Sequence, residues 1–246
     1  DISSVSITTS VAADRNATMV DWGRGLLEGQ MFTPESQPVG SAFQISKSDY
    51  SLDYRSPVAA VPGGFIVVWV HYRGPDAAVL GRRYDRYGQS LGPAFMVGDY
   101  AQGVETLAVA ASQHGDFVVA WWVYQGAGSS EILGQRMSAS GTPRGTQFRV
   151  NEATTGFPTY PGVASDDAGN FVVVWRDTDV RARRFDSSGS PLGSEFVAIP
   201  PQRHPISQVG VGGGPRGEDR QCKWEPGTVD DDLVDRLRFG RDPFGA

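Results

Sequence analysis

The sequence predicts an all-β protein in which one four-stranded antiparallel meander recurs along the chain. Four tryptophans in its 246 residues are spaced 47, 52 and 54 residues apart, and each ends a short, mostly apolar run. Glycine and proline number 31 and 16, and aromatic residues make up 11%, a composition typical of a turn-rich β protein. The repeated tryptophans are Trp22, Trp69, Trp121 and Trp175.

Two further markers follow each tryptophan in a fixed order. The first is a small residue three positions before a large apolar or aromatic one, and the second is a glycine three positions before a phenylalanine. The two markers keep a constant separation in all four copies, whereas the segment after tryptophan varies in length, as a hairpin loop tolerates. The first marker begins at Gly29, Gly81, Gly134 and Ala182, and the second at Gly40, Gly92, Gly145 and Gly193.

Each copy contains four short predicted strands that are separated by turn residues. The first copy opens within residues 1–16. In the second copy, Pro, Gly, Asp and Ser cluster at each junction between strands, as turns require. Short strands joined by tight turns form an antiparallel meander. The predicted strands of the second copy are 58–61, 65–72, 79–85 and 94–97.

The second strand of copies two to four is apolar on both faces, so each sheet must be covered on both sides. A lone four-stranded sheet cannot provide this cover, whereas radially stacked sheets can, and that arrangement is a β-propeller. The small residue of the third strand is expected to let an adjacent sheet approach closely. We therefore predict a β-propeller-like array with four regular repeats. The residues expected to fill the opposite inter-sheet layer are Tyr84, Met137 and Phe185.

Residues 199–246 are predicted to form a degenerate fifth copy rather than a regular sheet. Trp224 lies 49 residues after Trp175, in phase with the repeat, but the segment before it is charged and polar. Burying such side chains on both faces of a strand would be costly. We predict a four-repeat domain over 1–198, followed by an irregular segment with a short helix near 229–239.

Charge and composition exclude several classes of function. The net charge of −6 argues against a nucleic-acid partner. No apolar run is long enough for a membrane span, and no cleavable leader is visible at the N-terminus. Cys222 is the single cysteine, so the sequence predicts neither a disulfide framework nor a cysteine metal cluster.

The third and fourth copies carry the clearest form of the repeat, in Gln135, Arg136, Gly145, Phe148 to Asn151, Thr154, Thr155, Pro161 and Gly169 to Trp175. This pattern resembles a repeat that is common in large bacterial secreted and surface proteins. The resemblance covers residues 9–198 and implies a β-propeller-like fold and an extracellular or cell-surface location. It supplies no catalytic residues. The first copy departs from the pattern at Asp21 and Met31.

Aromatic residues are the first candidates for contact with a ligand. The repeated tryptophans could be sugar-stacking platforms, but a residue needed once in every sheet is better explained by core packing. Trp122 has no counterpart in the other copies and lies on the strand face opposite the tryptophan before it, so it is the better candidate for a surface aromatic. The segments 71–78 and 123–131 are predicted to form loops on one rim and to carry any binding, with Tyr72 and Tyr124 as further ligand candidates.

Charged residues suggest weaker hypotheses. A recurring arginine is expected to brace turns by donating to carbonyls or to a carboxylate, with an anion-binding ring as the alternative. Calcium is weighed with Asp166 and Asp167, although the sequence shows no ladder of carboxylates to supply its roughly six to eight oxygen ligands. The histidines show no spacing that suggests zinc. The recurring arginines are Arg83, Arg136 and Arg184, and the histidines are His71, His114 and His204.

Three functional hypotheses follow. The leading one is a non-enzymatic binding or scaffold module of a secreted or cell-surface bacterial protein, with a glycan or a protein as ligand, because repetition without unlike converging groups disfavours catalysis. The second is a propeller glycan hydrolase whose acids come from different sheets and meet at the central channel. The third is a structural spacer in a longer repeat array, within a chain that continues beyond this segment.

Overall fold

The computed structural model describes residues 8–13, 18–23, 26–47, 56–73, 76–126, 129–153 and 156–199. This part of the chain forms sixteen β-strands and no helix, as the repeat predicts. The strands are β1 Thr8–Ala13, β2 Thr18–Gly23, β3 Leu26–Phe32, β4 Pro38–Lys47, β5 Val58–Val61, β6 Gly64–Arg73, β7 Asp76–Asp85, β8 Phe95–Gln102, β9 Val104–Ala111, β10 Phe117–Gly126, β11 Ser129–Met137, β12 Phe148–Arg149, β13 Thr159–Ser165, β14 Phe171–Arg176, β15 Val180–Phe185 and β16 Phe196–Ile199.

Four four-stranded sheets account for these strands, one for each predicted repeat. Consecutive strands pair in the orders β1-β2-β3-β4, β5-β6-β7-β8, β9-β10-β11-β12 and β13-β14-β15-β16, which we call sheets 1 to 4. The strand pairs are antiparallel throughout. The predicted fold class, an all-β and β-propeller-like array of meanders, is therefore confirmed.

In the two segments predicted as loops, 71–78 and 123–131, the described residues extend the hairpins instead. In sheet 2, β6 and β7 stay paired as far as Arg73 and Asp76. In sheet 3, β10 and β11 pair through most of the second segment. The loop prediction is wrong because these residues satisfy their backbone groups in the strand ladder. Within the described residues, the extra length of copies two and three lengthens the strands.

The first strand of each sheet lies toward the inside of the array. β1 contacts β5, β5 contacts β9, and β9 contacts β13, so the sheets follow one another in chain order around these inner strands. The hydrophobic core is divided into layers between sheets 1 and 2, sheets 2 and 3, and sheets 3 and 4. Sheets stacked around a shared set of inner strands have the arrangement of a β-propeller.

Alternation along the second strand places apolar side chains in two layers. Phe65, Val67 and Trp69 of β6 pack toward sheet 1. Ile66 and Val68 of the same strand pack toward sheet 3. The same alternation holds in β10 and β14. A strand with both faces covered has a continuous apolar sequence, which explains the valine-rich runs before the tryptophans.

Three of the repeated tryptophans are buried between sheets, as predicted. Trp69 is 6% exposed, Trp121 is 2% exposed and Trp175 is 1% exposed. Each packs in the layer against the preceding sheet. The side chain of Trp22 lies outside the described residues.

The small residue of the third strand makes room for a phenylalanine of its own sheet. Gly81 pairs with Phe95, and a Cβ at Gly81 would lie 2.6 Å from that ring. Gly134 pairs with Phe148 in the same way, with a distance of 2.7 Å. The space beside the small residue holds a phenylalanine ring of its own sheet, and the neighbouring sheet packs against that ring. The same register pairs Gly29 with Phe43 and Ala182 with Phe196.

These phenylalanine rings carry the contact to the next sheet. The ring centre of Phe95 lies 6.1 Å from that of Phe117 in sheet 3. The ring centre of Phe148 lies 5.4 Å from that of Phe185 in sheet 4. Phe43, Phe95 and Phe148 thus link each of the first three sheets to the one that follows. The prediction for the opposite layer is confirmed, since the large residues that end the third strands pack against the preceding sheet: Tyr84, Met137 and Phe185.

Turn bracing is observed at one of the three recurring arginines. Arg136 donates to the carbonyls of Ser187, at 2.5 Å, and Ser188 in a turn of sheet 4. The repeat position one residue earlier holds Arg183 in sheet 4, and this arginine bonds back toward the preceding sheet. It donates to the carbonyl of Val150, the residue after β12 of sheet 3, at 3.0 Å. Arginines of the third strand thus tie neighbouring sheets together. For the other two recurring arginines, bracing and anion binding both stay predictions.

Residues 200–246 lie outside the described part of the chain. The predicted fifth copy, the helix near 229–239, Cys222 and His204 fall within them. The division into a repeat domain and a C-terminal segment therefore stays a prediction. Among the described residues, no helix is long and apolar enough to cross a membrane.

Each buried tryptophan is expected to contribute strongly to stability. Changing Trp69, Trp121 or Trp175 to alanine removes a large ring from a layer between two sheets. We expect each change to lower the free energy of unfolding by about 3–5 kcal/mol. Denaturant unfolding followed by circular dichroism measures the loss, and values far below this range for all three variants would contradict the stacked-sheet core.

The glycine–phenylalanine pair of sheet 3 gives a second test. Gly134→Ala places a Cβ 2.7 Å from the ring of Phe148, and we expect it to destabilise the protein by about 1–3 kcal/mol. In a Phe148→Leu background the same change should cost much less, because the ring that it meets is gone. Denaturant unfolding of all four proteins of this cycle measures the coupling. An equal cost in both backgrounds would show that the pair is not coupled.

Candidate functional site

A cleft of about 620 Å³ opens between sheets 3 and 4, at the end of the molecule where the β10–β11 hairpin extends. Its walls come from β10, from the connection between β12 and β13, from the start of β13, and from the end of β14 with the turn that follows it. We call it the aromatic cleft. The side chains that line it include Trp122, Phe157, Thr159, Tyr160, Arg176 and Asp177.

Four aromatic rings from both sheets form one cluster in and beside this cleft. The ring centre of Trp122 lies 5.7 Å from that of Phe157, edge to face, and 6.1 Å from that of Tyr160. Tyr124 lies 5.9 Å from Phe157 at the margin. Trp122 is only 8% exposed, but the exposed fractions of Tyr124, Phe157 and Tyr160 are 42%, 41% and 38%. Partly exposed rings on a buried aromatic base are typical of a ligand-binding surface.

Residues 156–158, at the end of the connection between sheets 3 and 4 (150–158), are held in place by polar bonds. The hydroxyl of Ser130 donates to the carbonyl of Pro158 at 2.8 Å. The carboxylate of Asp177 accepts a bond from the backbone N–H of Phe157 at 3.3 Å. These bonds fix the connection to both sheets, and they hold its aromatic ring at the mouth of the cleft.

The inner strands of sheets 3 and 4, β9 and β13, are both irregular next to the cleft. In β9 a bulge leaves two residues, Glu105 and Thr106, opposite Trp122 of β10. In β13 the register shifts around Tyr160, whose φ is 51°. Bulges re-aim side chains, and a positive φ is uncommon for a bulky residue. The regular packing of the two sheets is therefore interrupted at this end of the layer.

At the corresponding end of the layer between sheets 2 and 3, a tyrosine bonds to the backbone of the next sheet. Tyr72 occupies in sheet 2 the position that Tyr124 occupies in sheet 3, and its hydroxyl donates to the carbonyl of Val104 at 2.9 Å. A single residue, Gly103, connects β8 to β9, whereas residues 150–158 connect β12 to β13. The longer connection contributes an aromatic ring to the cleft, and the shorter one has no side chain to contribute.

Among the residues that line the cleft, Arg176 and Asp177 are charged. The guanidinium of Arg176 lies 6.0 Å from the ring centre of Tyr160. The carboxylate of Asp177 accepts bonds from backbone N–H groups, the closest being Thr178 at 2.9 Å. At the bulge of β9, burial raises the pKa of the Glu105 carboxyl. Aromatic faces beside a guanidinium suit a ligand that has both an apolar face and polar groups.

Two of the three predicted ligand residues belong to the aromatic cluster. Trp122 and Tyr124 lie in it, whereas Tyr72 lies between sheets 2 and 3 and donates to the carbonyl of Val104. Trp122 is on the opposite strand face from the repeated tryptophan, as expected, but it is buried rather than at the surface, because sheet 4 covers that face. The role of all three in binding stays a prediction.

Sequence reasoning missed Phe157, Tyr160 and Arg176. A signal existed for the arginine, because the position after the repeated tryptophan holds Trp122 in copy three and Arg176 in copy four, but small or aliphatic residues in the first two copies. Both departures line the cleft. No comparable signal marks the other two residues, since they lie in or beside a connection that the four copies do not share.

Asp166, weighed with Asp167 as a calcium ligand, closes the hairpin turn between β13 and β14. Its two carboxylate oxygens accept bonds from Asn170, from the backbone N–H at 2.9 Å and from the side-chain amide at 2.8 Å. Within the described ranges, no group of three or more His, Cys, Asp or Glu residues could hold a metal ion. Calcium binding here therefore gains no support from the geometry of the turn.

Solved structures of similar fold share little sequence with this chain. A thermostable family-43 glycoside hydrolase has a TM-score of 0.51 at 12% identity, over 79% of this chain and 73% of its own. An endo-arabinase from Bacteroides thetaiotaomicron has a TM-score of 0.43 at 12% identity, over 76% and 81%. A subtype N10 neuraminidase-like protein of A/little yellow-shouldered bat/Guatemala/060/2010 has a TM-score of 0.49 at 11% identity, over 74% of this chain, which spans 56% of that protein.

The similarity to the family-43 glycoside hydrolase supports the β-propeller-like fold and nothing finer. No protein-family model matches the chain, and no curated protein matches its sequence. The resemblance to repeats of bacterial secreted proteins, and the extracellular location that it implies, therefore stay predictions.

The carboxyl of Glu105 gives a pH-dependent test of the bulge. Because burial raises its pKa in the folded protein, the ionised group opposes folding at neutral pH, and protonation removes that penalty as the pH falls. We expect Glu105→Gln to stabilise the protein at pH 7 by less than about 1 kcal/mol, since the group is partly solvated. The gain should vanish below a pH of about 4. Denaturant unfolding at both pH values measures this, and an equal gain at both would contradict it.

Proposed function

We propose that this protein is a non-enzymatic binding module of a secreted or cell-surface bacterial protein, and that its aromatic cleft holds a carbohydrate. The observation that carries the proposal is the cluster of partly exposed rings where the third and fourth repeats depart from the pattern. Sugars present flat C–H faces that pack on aromatic rings, and hydroxyl groups that bond to arginine and carboxylate side chains.

The size of the cleft favours an oligosaccharide over a protein ligand. A volume of about 620 Å³ lies within the usual range of small-molecule sites, whereas a stable protein interface covers a much wider and flatter surface. The rings of Phe157 and Tyr160 already pack on Trp122, so a ligand would immobilise few additional side chains. The cleft can therefore retain a small polar ligand at a low entropic cost.

A propeller glycan hydrolase is the second candidate, and the fold similarity to a family-43 glycoside hydrolase favours it. Hydrolysis of a glycosidic bond would require two carboxyl groups roughly 5–10 Å apart. Among the described residues that line the cleft, Asp177 is the one carboxylate, and backbone N–H groups of Phe157 and Thr178 already bond to it. We therefore place binding ahead of hydrolysis. A structural spacer is the third candidate, and it would leave the exposed rings without a role.

A glycan array followed by titration calorimetry with the strongest glycan tests the proposal. We expect Phe157→Ala to weaken binding about tenfold or more, because a central aromatic contact is lost. Tyr87→Ala is the matched control, since Tyr87 is a 63% exposed aromatic residue in the turn between β7 and β8, at the opposite end of its sheet. This control should bind like the unchanged protein.

Three results would contradict the proposal in different ways. Failure to bind any glycan would remove the carbohydrate role and leave the spacer hypothesis. Release of reducing sugar from a bound glycan would favour the hydrolase. Unchanged affinity of the Phe157→Ala variant would place glycan binding outside the aromatic cleft.

A further inference from the structure

We infer that the ligand of the aromatic cleft is an acidic oligosaccharide, and that Arg176 binds the carboxylate of one of its sugars. The inference rests on the proposed function and names its ligand class. Arg176 lines the cleft at the end of β14, beside the exposed ring of Tyr160.

The N–H groups of the Arg176 guanidinium are available to a ligand. Its one described contact is with the ring of Tyr160, at 6.0 Å, and no hydrogen bond or ion pair engages it in the described structure. Elsewhere in the described strands and turns, arginines commonly donate to carbonyls or carboxylates. A guanidinium beside an aromatic surface gains most from an oxyanion that accepts two of its N–H groups at once. The arginines that donate to a carbonyl or a carboxylate include Arg82, Arg136, Arg144, Arg149, Arg181 and Arg183.

Asp177 does not supply that oxyanion, although it is the next residue in the chain. One of its carboxylate oxygens accepts bonds from the N–H groups of Phe157 and Thr178, at 3.3 and 2.9 Å. The other lies within 2.6 Å of where a Cβ on Gly156 would be. The Asp177 carboxylate therefore binds backbone groups in the wall of the cleft. Glu105, the carboxyl at the β9 bulge, is not among the residues that line the cleft.

The position of Arg176 in the repeat points the same way. It follows the fourth repeated tryptophan, a position that is Gly23 in sheet 1 and Val70 in sheet 2. Stacking of the sheets therefore does not require an arginine there. In sheet 3 the same position is Trp122, which forms the base of the same cleft. Two unlike residues from one repeat position thus converge on one site, which packing alone does not explain.

Together these groups define the chemistry of the ligand. The rings of Phe157 and Tyr160 suit the C–H face of a sugar, and an unpaired guanidinium beside them suits a planar carboxylate. A carboxylated sugar, such as a uronate, carries both features on one ring. Neutral glycans carry only the first, so we expect the cleft to discriminate against them.

Titration calorimetry with matched acidic and neutral ligands tests the inference. The probes are trigalacturonate, a hyaluronan tetrasaccharide and sialyllactose, each beside the methyl ester that removes its charge and keeps its sugars. We expect at least one acid to bind about tenfold or more tightly than its ester, and added sodium chloride to weaken that binding. Arg176→Gln should lose about ten- to a hundredfold in affinity for the acid and leave affinity for the ester unchanged.

Two further variants separate charge from folding. Arg176→Lys keeps the charge without the planar fork, and should recover part of the affinity for the acid. Arg184→Gln removes an arginine from the third strand of the same sheet, outside the cleft, and should bind like the unchanged protein. Circular dichroism and the unfolding midpoint show whether each variant is folded. If Arg176→Gln does not fold, the comparison of acid with ester on the unchanged protein and on Arg176→Lys decides.

The failures of the two proposals are distinguishable. Equal affinity for acids and esters, or for neutral glycans, would overturn the acidic ligand and leave the carbohydrate role standing. Tighter binding of a sulfated oligosaccharide than of every carboxylated one would overturn the assignment to a carboxylate. Absence of binding to any glycan, acidic or neutral, would overturn both proposals.

Discussion

The stacking of the sheets depends on a small residue that lies opposite phenylalanine on the third and fourth strands. Because Gly81 has no Cβ, the ring of Phe95 can lie close against its own sheet and still reach sheet 3. Dispersion attraction falls steeply with the distance between atoms. A larger residue in place of the glycine would move the two sheets apart and would therefore weaken the tryptophan packing in the same layer. These thin contacts keep neighbouring sheets close enough to cover the valine-rich second strands between them.

Much of this architecture could be predicted, because its determinants recur. A tryptophan and two spaced markers appear in each of four copies, and each marks a position with the same neighbours in every sheet. The length of the hairpins was harder to predict. Residues 71–73 and 123–126 mix polar and apolar side chains, so no alternation indicates a strand, yet their backbone groups pair as a continuation of the ladder. Main-chain pairing extends a hairpin beyond the region that side-chain patterns describe.

The cleft was accessible to sequence reasoning only in part. Trp122 could be recognised because it departs from the repeat, but its burial could not, since sheet 4 lies on it and the extent of that cover depends on tertiary packing. Phe157 belongs to a connection that is much longer than the preceding one, where Gly103 alone makes the link, and Tyr160 lies at the register shift in β13. A site that arises from differences between repeats is the least visible part of a protein that is otherwise predicted from their likeness.

The constant separation of the two markers divides the molecule into an edge that cannot change in length and an edge that can. Between Gly134 and Phe148, an inserted residue would shift the ring off its glycine and away from the sheet that it supports. The opposite edge holds hairpins of unequal length and the connection over 150–158. Because the invariant edge keeps the same contact to the next sheet, repeats could be exchanged between such chains as interchangeable units. Each exchange would place different hairpins and connections on the same set of stacked sheets. Ligand specificity could therefore diversify by recombination while the core stayed unaltered.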